Sequence, residues 1–519
     1  MRVKQENIKL FLGESENKLV EIATRHLGEK PSYFRILKKS LDARKKDKIC
    51  FVYTIEFSSE KIDESVAEVQ KVQKSKLPSK PVIVVGSGPS GLFCALRLIE
   101  RGITPIVVER GLDVDERAKV CKRFFDGGKL DEDCNVQFGE GGAGTFSDGK
   151  LNTGTHSPLL ENVLKTFVKF GAPTEIEWLN KPHIGSDNLI NIVKNMRREI
   201  ERNGGEILFS TKFEDIDVES GIVRRVALKR GQDIFWKEVS AVVLAIGHSA
   251  RDTFSMLEKR GVFMRPKDFA VGVRIEHLQS AIGLSQYGKS YSQLPPADYK
   301  LVSHSQDKRA CFTFCMCPGG VVVPSSSEVG GVVVNGMSNY ARNGENANSA
   351  LIVQVRKEDY QKDNYSLAGV NFQREIERRA FIEGGSNYCA PMQTVRNFLL
   401  GKKGGEIFDV KPSYARGVAQ ANMQDIFPKF VVDTLKFALT DMDKKLRGFA
   451  YENAILTAPE TRTSSPIRIE RSEKCNSITH QNLYPCGEGA GYAGGIASSA
   501  VDGIRVADAI AKGFDFSLN

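Results

Sequence analysis

The residues best suited to bind a ligand form a glycine-rich turn that follows a wholly apolar segment, 82–85. The turn consists of Gly86, Ser87, Gly88, Pro89, Ser90 and Gly91. In a G-x-G-x-x-G turn the first glycine allows a tight bend, and the second lets the backbone approach a diphosphate. The third lets strand and helix pack closely, and the helix then points free N–H groups and its positive end at the phosphates. The pattern predicts an anion-binding turn between a strand and a helix.

An acidic residue at the end of the next apolar segment extends this pattern. Glu109 stands 18 residues after Gly91 (109 − 91), close to the ~20 that is typical of a carboxylate on ribose hydroxyls. A strand–turn–helix–strand unit that ends in an acid predicts a dinucleotide site. Arg110 comes directly after Glu109, and this pair resembles FAD-binding members of the glutathione-reductase-type superfamily.

Two later segments resemble the other dinucleotide motifs of that superfamily. The apolar run 241–244 leads into Ala245 and Gly247, as in the strand that turns beside the dinucleotide. Near the C-terminus, a short strand and a glycine-rich turn precede a helix with small residues in its first turn. The residues predicted to bind FAD there are Gly487, Glu488, Gly494, Gly495 and Ile496. The resemblance implies that this helix points its positive end at the flavin and stabilises the reduced, anionic ring.

Other parts of the predicted FAD site are less regular. Glu488 stands where the superfamily usually has Asp, so the implied contact with a ribityl or ribose-side hydroxyl requires a backbone shift or a bridging water. The glycine-dense loop 138–150 is either a surface turn or a backbone that runs along the pyrophosphate and the flavin ring. Its residues predicted to contact the cofactor are Gly142, Gly144 and Thr145. Phe213, in the segment 209–213, is predicted to lie in a strand that flanks the adenine.

Candidates for chemistry are concentrated in the segment 311–320, which reads CFTFCMCPGG. Beside a flavin, Cys315 and Cys317 would be a redox pair or supply a thiol acid. The alternative is a buried strand before a Pro-Gly turn, with cysteine as a small hydrophobic residue. By analogy, Arg462 would bind an anionic substrate or a cofactor phosphate. Further candidates, each also open to a structural role, are His156, His183, Lys150 and Tyr492.

The elements around these residues predict an α/β protein with a Rossmann-like FAD-binding domain, an inserted α+β cap domain and a small N-terminal α+β module. In the module, apolar spacing predicts strands at 8–12 and 49–57 and a helix at 15–27. The predicted divisions are 1–72 for the module, 73–80 for a basic linker, 81–264 for the first part of the FAD domain, 265–449 for the cap or substrate domain, and 450–519 for the rest of the FAD domain.

Composition narrows the functional class. The 519 residues are 41% hydrophobic and 26% charged, as in a globular protein of two or three domains. The formal charge of +9 suits either a solvated surface or attraction of nucleic acid, anionic lipid or phosphorylated ligands. No apolar leader or membrane-length apolar run is present, and ten cysteines without a leader fit reduced thiols. These features predict a cytoplasmic protein without a membrane span. No His and Cys spacing predicts a metal site.

Taken together, the motifs resemble a bacterial family of FAD-dependent proteins labelled "NAD(FAD)-utilizing dehydrogenases". The segments that carry the resemblance are 86–91, 141–151, 314–320, 335–338 and 483–503, with 39–44 in the N-terminal module. The resemblance implies an oxidoreductase that transfers a hydride through flavin N5 to or from a small molecule. Because no second G-x-G-x-x-G follows a strand, NAD(P)H as electron donor would bind transiently in the cap. The alternatives are an RNA-modifying flavoenzyme recruited by the basic stretch 38–48, and an FAD-binding protein without turnover.

Overall fold

The computed structural model describes residues 2–62, 75–152, 154, 157–361 and 365–516. In chain order the strands are β1 (Val3–Phe11), β2 (Tyr33–Asp42), β3 (Cys50–Ser58), β4 (Val82–Val85), β5 (Pro105–Val108), β6 (Glu206–Leu208), β7 (Lys212–Glu219), β8 (Ile222–Arg230), β9 (Asp233–Glu238), β10 (Ala241–Leu244), β11 (Met264–Pro266), β12 (Phe269–Leu278), β13 (Val302–His304), β14 (Ala310–Cys317), β15 (Val321–Pro324), β16 (Val334–Met337), β17 (Asn346–Val355), β18 (Ala390–Thr394), β19 (Val418–Gln420), β20 (Ile455–Glu460), β21 (Ile467–Ile469) and β22 (Leu483–Pro485). The helices are α1 (Asn17–Leu27), α2 (Pro89–Glu100), α3 (Val114–Phe125), α4 (Leu159–Lys169), α5 (Ser186–Arg202), α6 (Arg251–Lys259), α7 (Gln279–Tyr287), α8 (Lys357–Tyr360), α9 (Ala368–Glu383), α10 (Val395–Leu400), α11 (Met423–Ile426), α12 (Lys429–Lys445) and α13 (Ile496–Phe516).

The N-terminal strands form an antiparallel sheet in the order β1-β3-β2, with α1 packed against it. Leu19 and Ala23, one helical turn apart on α1, are buried in one cluster with residues of β1 and β3. The module is joined to the rest of the chain through β2, where Lys39 exchanges main-chain hydrogen bonds with Trp178 (2.9 Å) and Asn180 (3.0 Å). Residues 73 and 74 of the predicted linker lie outside the described residues.

Five parallel strands, in the order β22-β10-β4-β5-β6, form the sheet that carries the glycine turn. β4 and β10 are buried along their whole length because both faces of the sheet are covered. One face packs against α2, α5 and α13. The other packs against the antiparallel sheet β7-β8-β9 and against α6. This is the predicted Rossmann-like arrangement, in which a ligand binds beyond the carboxyl ends of the parallel strands.

A second sheet, in the order β13-β14-β17-β12-β20-β18-β19, follows the parallel sheet in the chain. Its long central pair, β12 and β17, is antiparallel over the full length of both strands. Residues of α9 and α12 are buried against it in one apolar cluster. The predicted end of the insertion, residue 449, falls before β20, which pairs with β12. The sheet therefore continues to Glu460, beyond the predicted division.

The chain enters and leaves this second sheet through neighbouring strands. β11, just before β12, pairs antiparallel with β21, just after β20. Met264 lies opposite Ile469, and Pro266 lies opposite Ile467. The two connections between the parallel sheet and the second sheet are thus hydrogen-bonded to each other.

One predicted element is wrong. The segment 209–213 is not a single strand, since β6 ends at Leu208 and β7 begins at Lys212, with Ser210 at a φ of +48° between them. β6 belongs to the parallel sheet and β7 to the antiparallel one, so the chain must turn here.

Within the described ranges, no helix has both the length and the apolar character needed to cross a membrane. Nor do those ranges contain a group of three or more His, Cys, Asp or Glu side chains that could hold a metal ion.

Candidate functional site

The turn after β4 requires glycine at its first and last positions. Gly86 has a φ of +102°, and a Cβ atom there would lie 2.3 Å from the carbonyl oxygen of Ala245. A Cβ atom on Gly91 would lie 1.9 Å from the carbonyl oxygen of Gly86. No side chain fits in either place, so α2 begins in direct contact with the ends of β4 and β10.

Gly88 differs from these two glycines because only one atom of the chain approaches it. A Cβ atom on Gly88 would meet the Cα of Gly142 at 3.7 Å and nothing else within 4 Å. Gly88 is the N-cap of α2, and Pro89 is its first residue. Gly142 begins a short 3-10 turn, Gly142–Phe146. The two glycine backbones face each other beside a helix N-terminus, where unpaired N–H groups favour a phosphate.

The Glu109 carboxylate is buried and already accepts four hydrogen bonds. One oxygen accepts from the Ser87 main-chain N–H (3.0 Å) and hydroxyl (2.7 Å). The other accepts from the N–H groups of Gly111 (2.9 Å) and Gly139 (3.0 Å). Glu109 therefore ties the glycine turn to the loop 138–150. A ribose hydroxyl at this carboxylate would compete with the Ser87 hydroxyl, which can rotate away.

Flat side chains surround the cavity near the end of β5. The Arg110 guanidinium lies 4.4 Å from the centroid of the Phe138 ring and donates to the Asp252 carboxylate at 2.5 Å. Although burial opposes ionisation of Asp252, the charges of Arg110 and Lys212 hold its pKa below the usual range. Phe213, which is 4% exposed, also lines the cavity. Such aromatic and guanidinium faces suit a planar base such as adenine.

The C-terminal segment closes the opposite side of the cavity. Gly487, with a φ of +72°, donates its N–H to Asp502 at 2.8 Å, and a Cβ atom on it would lie 2.6 Å from the Ser90 hydroxyl. It therefore holds the end of β22 against α2. Gly494, Gly495 and Ile496, at the start of α13, line the cavity.

A cavity of about 310 Å³ connects these elements. The sequence-predicted residues that line it are Gly86, Gly88, Pro89, Ser90, Glu109, Arg110, Gly142, Gly144, Phe213, Ala245, Gly247, Cys315, Arg462, Glu488, Gly494, Gly495 and Ile496. Those that do not line it are Gly91, Thr145, Cys317 and Gly487. Gly91 and Gly487 instead allow close packing behind the cavity wall.

The cavity reaches the second sheet, where it is lined by groups that titrate. Glu460, the last residue of β20, is 3% exposed. Burial raises the pKa of Glu460 to about 7, although Arg274 at 3.1 Å acts in the opposite direction. Glu460 was not among the residues predicted from the sequence. Its one mark in the sequence is that an acidic residue ends a mainly apolar strand.

Cys315 lies at a bulge in β14. The pairing with β17 shifts register between Phe314 and Cys317, and Cys315 has a φ of +42°, which costs a residue other than glycine about 1–3 kcal/mol. Its carbonyl oxygen accepts hydrogen bonds from Arg274 Nη2 (2.7 Å) and from the Cys317 thiol (3.2 Å). Arg274 is fully buried and also donates to Asn348 at 2.9 Å. These contacts hold the Cys315 backbone in its unfavourable conformation.

Arg462 lines the cavity, but the protein already occupies its nitrogens. Nε and Nη2 bind the two carboxylate oxygens of Glu377 at 3.1 and 3.0 Å, and Nη1 donates to the Ser327 hydroxyl. Glu377 also accepts two hydrogen bonds from the buried Arg251, each 2.8 Å long. Although burial opposes ionisation of Glu377, the two arginines hold its pKa well below the usual range. Arg462 is thus part of a buried ion network that engages three of its five N–H donors, and its predicted role in binding a substrate or phosphate stays a prediction.

Glu488, the residue that departs from the superfamily pattern, does reach the cavity. None of the hydrogen bonds found among the described residues involves its carboxylate. Desolvation by the surrounding protein raises the pKa of Glu488 to about 7, although the Lys267 ammonium acts in the opposite direction. The side chain is therefore available to a hydroxyl group of a ligand.

The remaining candidates divide between the cavity and its surroundings. Lys150 lines the cavity, and its ammonium lies 3.4 Å from Asp148. His183 is bound at Nε2 to the Tyr340 carbonyl oxygen at 3.0 Å and stacks on the Tyr340 ring. Tyr492 lies under the guanidinium groups of two arginines and accepts a hydrogen bond from a main-chain N–H, away from the cavity lining. His156 lies outside the described residues.

Comparison with known sequences identifies the family. Residues 268–463 match a family model described as "FAD-dependent protein, C-terminal domain-like", and residues 2–58 match a domain of unknown function. An uncharacterized protein of Clostridium beijerinckii is 44% identical over 535 residues, an alignment that covers 99% of each chain. The chain belongs to this family of FAD-dependent proteins. The membership confirms the predicted family and its cofactor, FAD.

Solved structures that resemble this family member are distant. Flavin-dependent brominase Bmp2 aligns with 12% identity and a TM-score of 0.40, over 85% of this chain and 80% of its own. A geranylgeranyl bacteriochlorophyll reductase-like protein of Thermoplasma acidophilum aligns with 11% identity and a TM-score of 0.39, over 85% and 81%. At this distance the likeness says nothing about the reaction of this protein.

The residues of the cavity fit FAD. Gly88 and Gly142 pack against each other, since a Cβ atom on Gly142 would lie only 3.0 Å from the Gly88 Cα, and both present bare backbone at the cavity wall where a diphosphate would lie. Glu109 lies at one end of this glycine wall with the flat side chains near Arg110, as an adenosine requires. Glu488 and the N-terminus of α13 line the part that would hold the ribityl chain and the flavin ring.

Proposed function

We propose that this protein is an FAD-dependent oxidoreductase acting on a small molecule. The observation that carries the proposal is the continuity of one cavity, from the glycine wall at Gly88 to a group of titratable side chains at the second sheet. Among them the buried acid Glu460 offers a proton-transfer group at the end of the cofactor cleft. When bound there, FAD supplies hydride acceptance and donation through flavin N5.

The chain's own residues would orient the substrate and hold its proton. Glu460, with a pKa of about 7, can donate or accept a proton near neutral pH. Cys315 and Asn335 line the same region of the cavity and offer a thiol and an amide to a substrate. The apolar Phe314 side chain lies beside them. This combination suits a substrate that is mainly apolar and carries one or two polar groups.

We propose NADH or NADPH as the electron donor, bound only transiently. The G-x-G-x-x-G sequences 86–91, 139–144 and 489–494 all lie in the segments assigned to FAD, so none marks a separate nicotinamide-binding domain. A nicotinamide cofactor would therefore share the substrate end of the cavity instead of occupying a domain of its own. This arrangement predicts that donor and substrate bind in turn, which produces ping-pong kinetics.

The proposal is tested by mixing the oxidised holoenzyme with NADH or NADPH under anaerobic conditions in a stopped-flow instrument. The expected result is loss of flavin absorbance at a rate that saturates with the donor, followed by reoxidation with a panel of small-molecule acceptors. Free FAD under the same conditions controls for direct reaction with the donor. A bound flavin that no donor bleaches and, after chemical reduction, no acceptor reoxidises would favour the alternative without turnover.

The RNA-modifying alternative gains no support from the N-terminal module. In the basic stretch 38–48, Lys46 donates to the Ser285 carbonyl oxygen (2.6 Å), and Arg44 pairs with Asp42 (2.7 Å). Lys39 pairs with Glu16 at 2.6 Å. These three cations have partners within the chain, whereas Lys45 and Lys48 of the same stretch are exposed, and recruitment of RNA by this stretch stays a prediction.

A further inference from the structure

Asn335 and Glu460 each have one polar atom that the folded chain does not use. The Asn335 Oδ1 atom accepts hydrogen bonds from Arg274 Nη1 (3.3 Å) and from the Gly336 N–H (2.8 Å). Two donors on one atom identify it as the amide oxygen, so Nδ2 carries the two N–H groups. The Glu460 Oε2 atom accepts from the same Arg274 nitrogen at 3.1 Å. Among the described residues, neither Asn335 Nδ2 nor Glu460 Oε1 has a hydrogen-bond partner.

These two atoms open into the cavity. Asn335 on β16 and Glu460 on β20 both line it, although Glu460 is only 3% exposed. Neither Asn335 Nδ2 nor Glu460 Oε1 belongs to the fully buried polar atoms that lack a partner. Since each atom lacks a partner, each must keep accessible surface, and the cavity provides it. An N–H donor and a carboxyl oxygen thus face the same space.

Arg274 holds the two side chains side by side. It is fully buried, and its Nη1 has two N–H groups, one for Asn335 and one for Glu460. Its Nε donates to Asn348 at 2.9 Å, and its Nη2 donates to the Cys315 carbonyl oxygen at 2.7 Å. Every nitrogen of the guanidinium therefore has a partner in the chain, and Arg274 acts on a ligand only through the groups that it positions.

Gly336 leaves room for this guanidinium. A Cβ atom on Gly336 would lie 2.4 Å from Arg274 Nη2 and 2.3 Å from Asn348 Oδ1. A side chain at this position in β16 would therefore move Arg274 and, with it, the two groups that Arg274 holds.

We propose that the Asn335 amide and the Glu460 carboxyl bind the oxygen atom of a carbonyl or alcohol substrate, with Arg274 as the positioning residue for both. The proposal rests on the function proposed above. In substrate oxidation, the alcohol O–H bond breaks and an O–H bond forms on Glu460 Oε1. The C–H bond breaks as well, its hydride and two electrons pass to FAD, and Asn335 Nδ2 donates to the resulting carbonyl oxygen. In substrate reduction, each of these transfers is reversed.

The two free atoms select this class of substrate. A hydroxyl group can accept from Asn335 and donate to Glu460, and a carbonyl oxygen can accept from both when Glu460 is protonated. A substrate carboxylate would instead meet the Glu460 oxygen, and an ammonium group would meet the Asn335 N–H groups. Lys150 also lines the cavity, but its ammonium is buried 3.4 Å from Asp148. Burial raises the pKa of Glu460 to about 7, which suits exchange of a proton with an alcohol near neutral pH.

Two substitutions change the character of one free atom each and keep the acceptor that Arg274 needs. Asn335→Asp keeps an oxygen for Arg274 and replaces the Nδ2 donor by an acceptor. Glu460→Gln keeps an oxygen for Arg274 and places an N–H donor at the Oε1 position. The oxidised holoenzyme is titrated with cyclohexenone, whose oxygen only accepts, and with phenol, whose hydroxyl also donates. Binding is followed by the change in flavin absorbance.

The two variants should respond in opposite ways. N335D should bind cyclohexenone roughly 5- to 150-fold more weakly than wild type and should keep most of its affinity for phenol. E460Q should lose affinity for phenol by a similar factor and keep most of its affinity for cyclohexenone. Anisole, in which a methyl group replaces the phenol hydrogen, should not distinguish wild type from E460Q. Unchanged affinity of N335D for cyclohexenone, or failure of both probes to bind wild type, would overturn the proposal.

Asn152→Asp is the matched control for N335D. It adds the same charge at an exposed residue of the same cavity and should change neither affinity. The Kd for FAD is measured in each variant and should stay near the wild-type value. A Kd for FAD that rises in N335D but not in N152D would assign Asn335 to the flavin and overturn the proposal.

Should N335D or E460Q not fold, the infrared carbonyl stretch of cyclohexenone bound to wild type decides the matter. Hydrogen bonds to the oxygen lower this wavenumber, so a value at or below that in water is expected. A value between those in water and in hexane would overturn the proposal. Gly336→Ala, which moves Arg274, should raise the wavenumber, a shift that a purely structural role of Arg274 would not produce. An unchanged wavenumber in G336A would overturn the positioning role of Arg274.

None of these measurements requires turnover, so the two proposals fail separately. Binding of cyclohexenone through Asn335 in a protein whose flavin no donor or acceptor affects would overturn only the proposed function. Flavin reduction by NADH or NADPH in a protein that binds cyclohexenone equally well without the Asn335 amide would overturn only the assignment of the substrate oxygen.

Discussion

Gly88→Ala tests whether the diphosphate of FAD lies against the backbones of Gly88 and Gly142. The added methyl group meets no atom of the chain closer than 3.7 Å, and the φ of −74° at Gly88 suits alanine. The free energy of unfolding of the FAD-free protein should therefore change by no more than about 1 kcal/mol, mainly through the lost N-cap preference for glycine. The methyl group occupies space that the bound diphosphate needs.

The expected loss of affinity follows from the size of this overlap. Inserting a methyl group into a packed site costs about 1–3 kcal/mol, which raises the Kd for FAD roughly 5- to 150-fold at about 1.4 kcal/mol per tenfold. The assay removes FAD, titrates it back while following quenching of flavin fluorescence, and measures urea unfolding of the FAD-free protein. The two measurements thereby separate a large effect on the Kd for FAD from a small effect on the free energy of unfolding of the FAD-free protein.

Two other glycines serve as controls for Gly88→Ala. In Gly91→Ala the new Cβ atom lies 1.9 Å from the Gly86 carbonyl oxygen, so the FAD-free protein itself should lose about 1–3 kcal/mol or more. Among the described residues, no atom lies within 4 Å of such a Cβ on Gly154, which does not line the cavity, so Gly154→Ala should change neither quantity. A wild-type Kd for FAD in G88A would refute the assignment of the diphosphate to this glycine wall.

Three further substitutions test the surroundings of the site. Glu377→Ala removes the carboxylate that the buried Arg251 and Arg462 share and leaves them only the partly exposed Glu328, so it should lower the free energy of unfolding by about 3–5 kcal/mol. That stability is present above the unfolded pKa of about 4.3 and is lost as the pH falls towards the lower folded pKa, so urea unfolding of wild type and E377A should converge in acid. Glu488→Gln should raise the Kd for FAD roughly tenfold at pH 8, and the difference should shrink towards pH 6, where the wild-type carboxyl, with its pKa of about 7, is mostly protonated. Gly336→Ala displaces Arg274 and should cost about 1–3 kcal/mol in urea unfolding; unchanged stability would contradict the contact.

The sequence predicted the cofactor half of the site well because that half depends on backbone geometry. The turn at Gly86 and Gly91 and the acid at Glu109 lie within one strand–turn–helix–strand unit, so their spacing along the chain determines their positions in space. The glycine requirement is visible in the sequence because no other residue type fits the turn. The fold class follows from the same unit and from the two later motifs.

The catalytic half could not be predicted in this way, because its geometry depends on contacts between distant segments. Glu460 acquires its raised pKa from burial in the folded chain, although Arg274, which precedes it by 186 residues, acts in the opposite direction. Arg462 was predicted to bind a ligand, and nothing in the sequence indicated that it also pairs with Glu377 on α9. The strand β2 was not predicted because its lysines indicate a solvent-exposed basic stretch, although main-chain pairing with β3 forms it.

The hydrogen-bonded pair of β11 and β21 has a consequence for how this protein can be rebuilt. Both ends of the second sheet's segment, 267–466, leave the cofactor domain side by side, the arrangement in which a whole unit can be exchanged for another without altering its host. A different segment joined at these two connections would therefore replace the second sheet while the flavin-binding domain keeps its fold. The seam for such a graft lies at two short strands, β11 and β21.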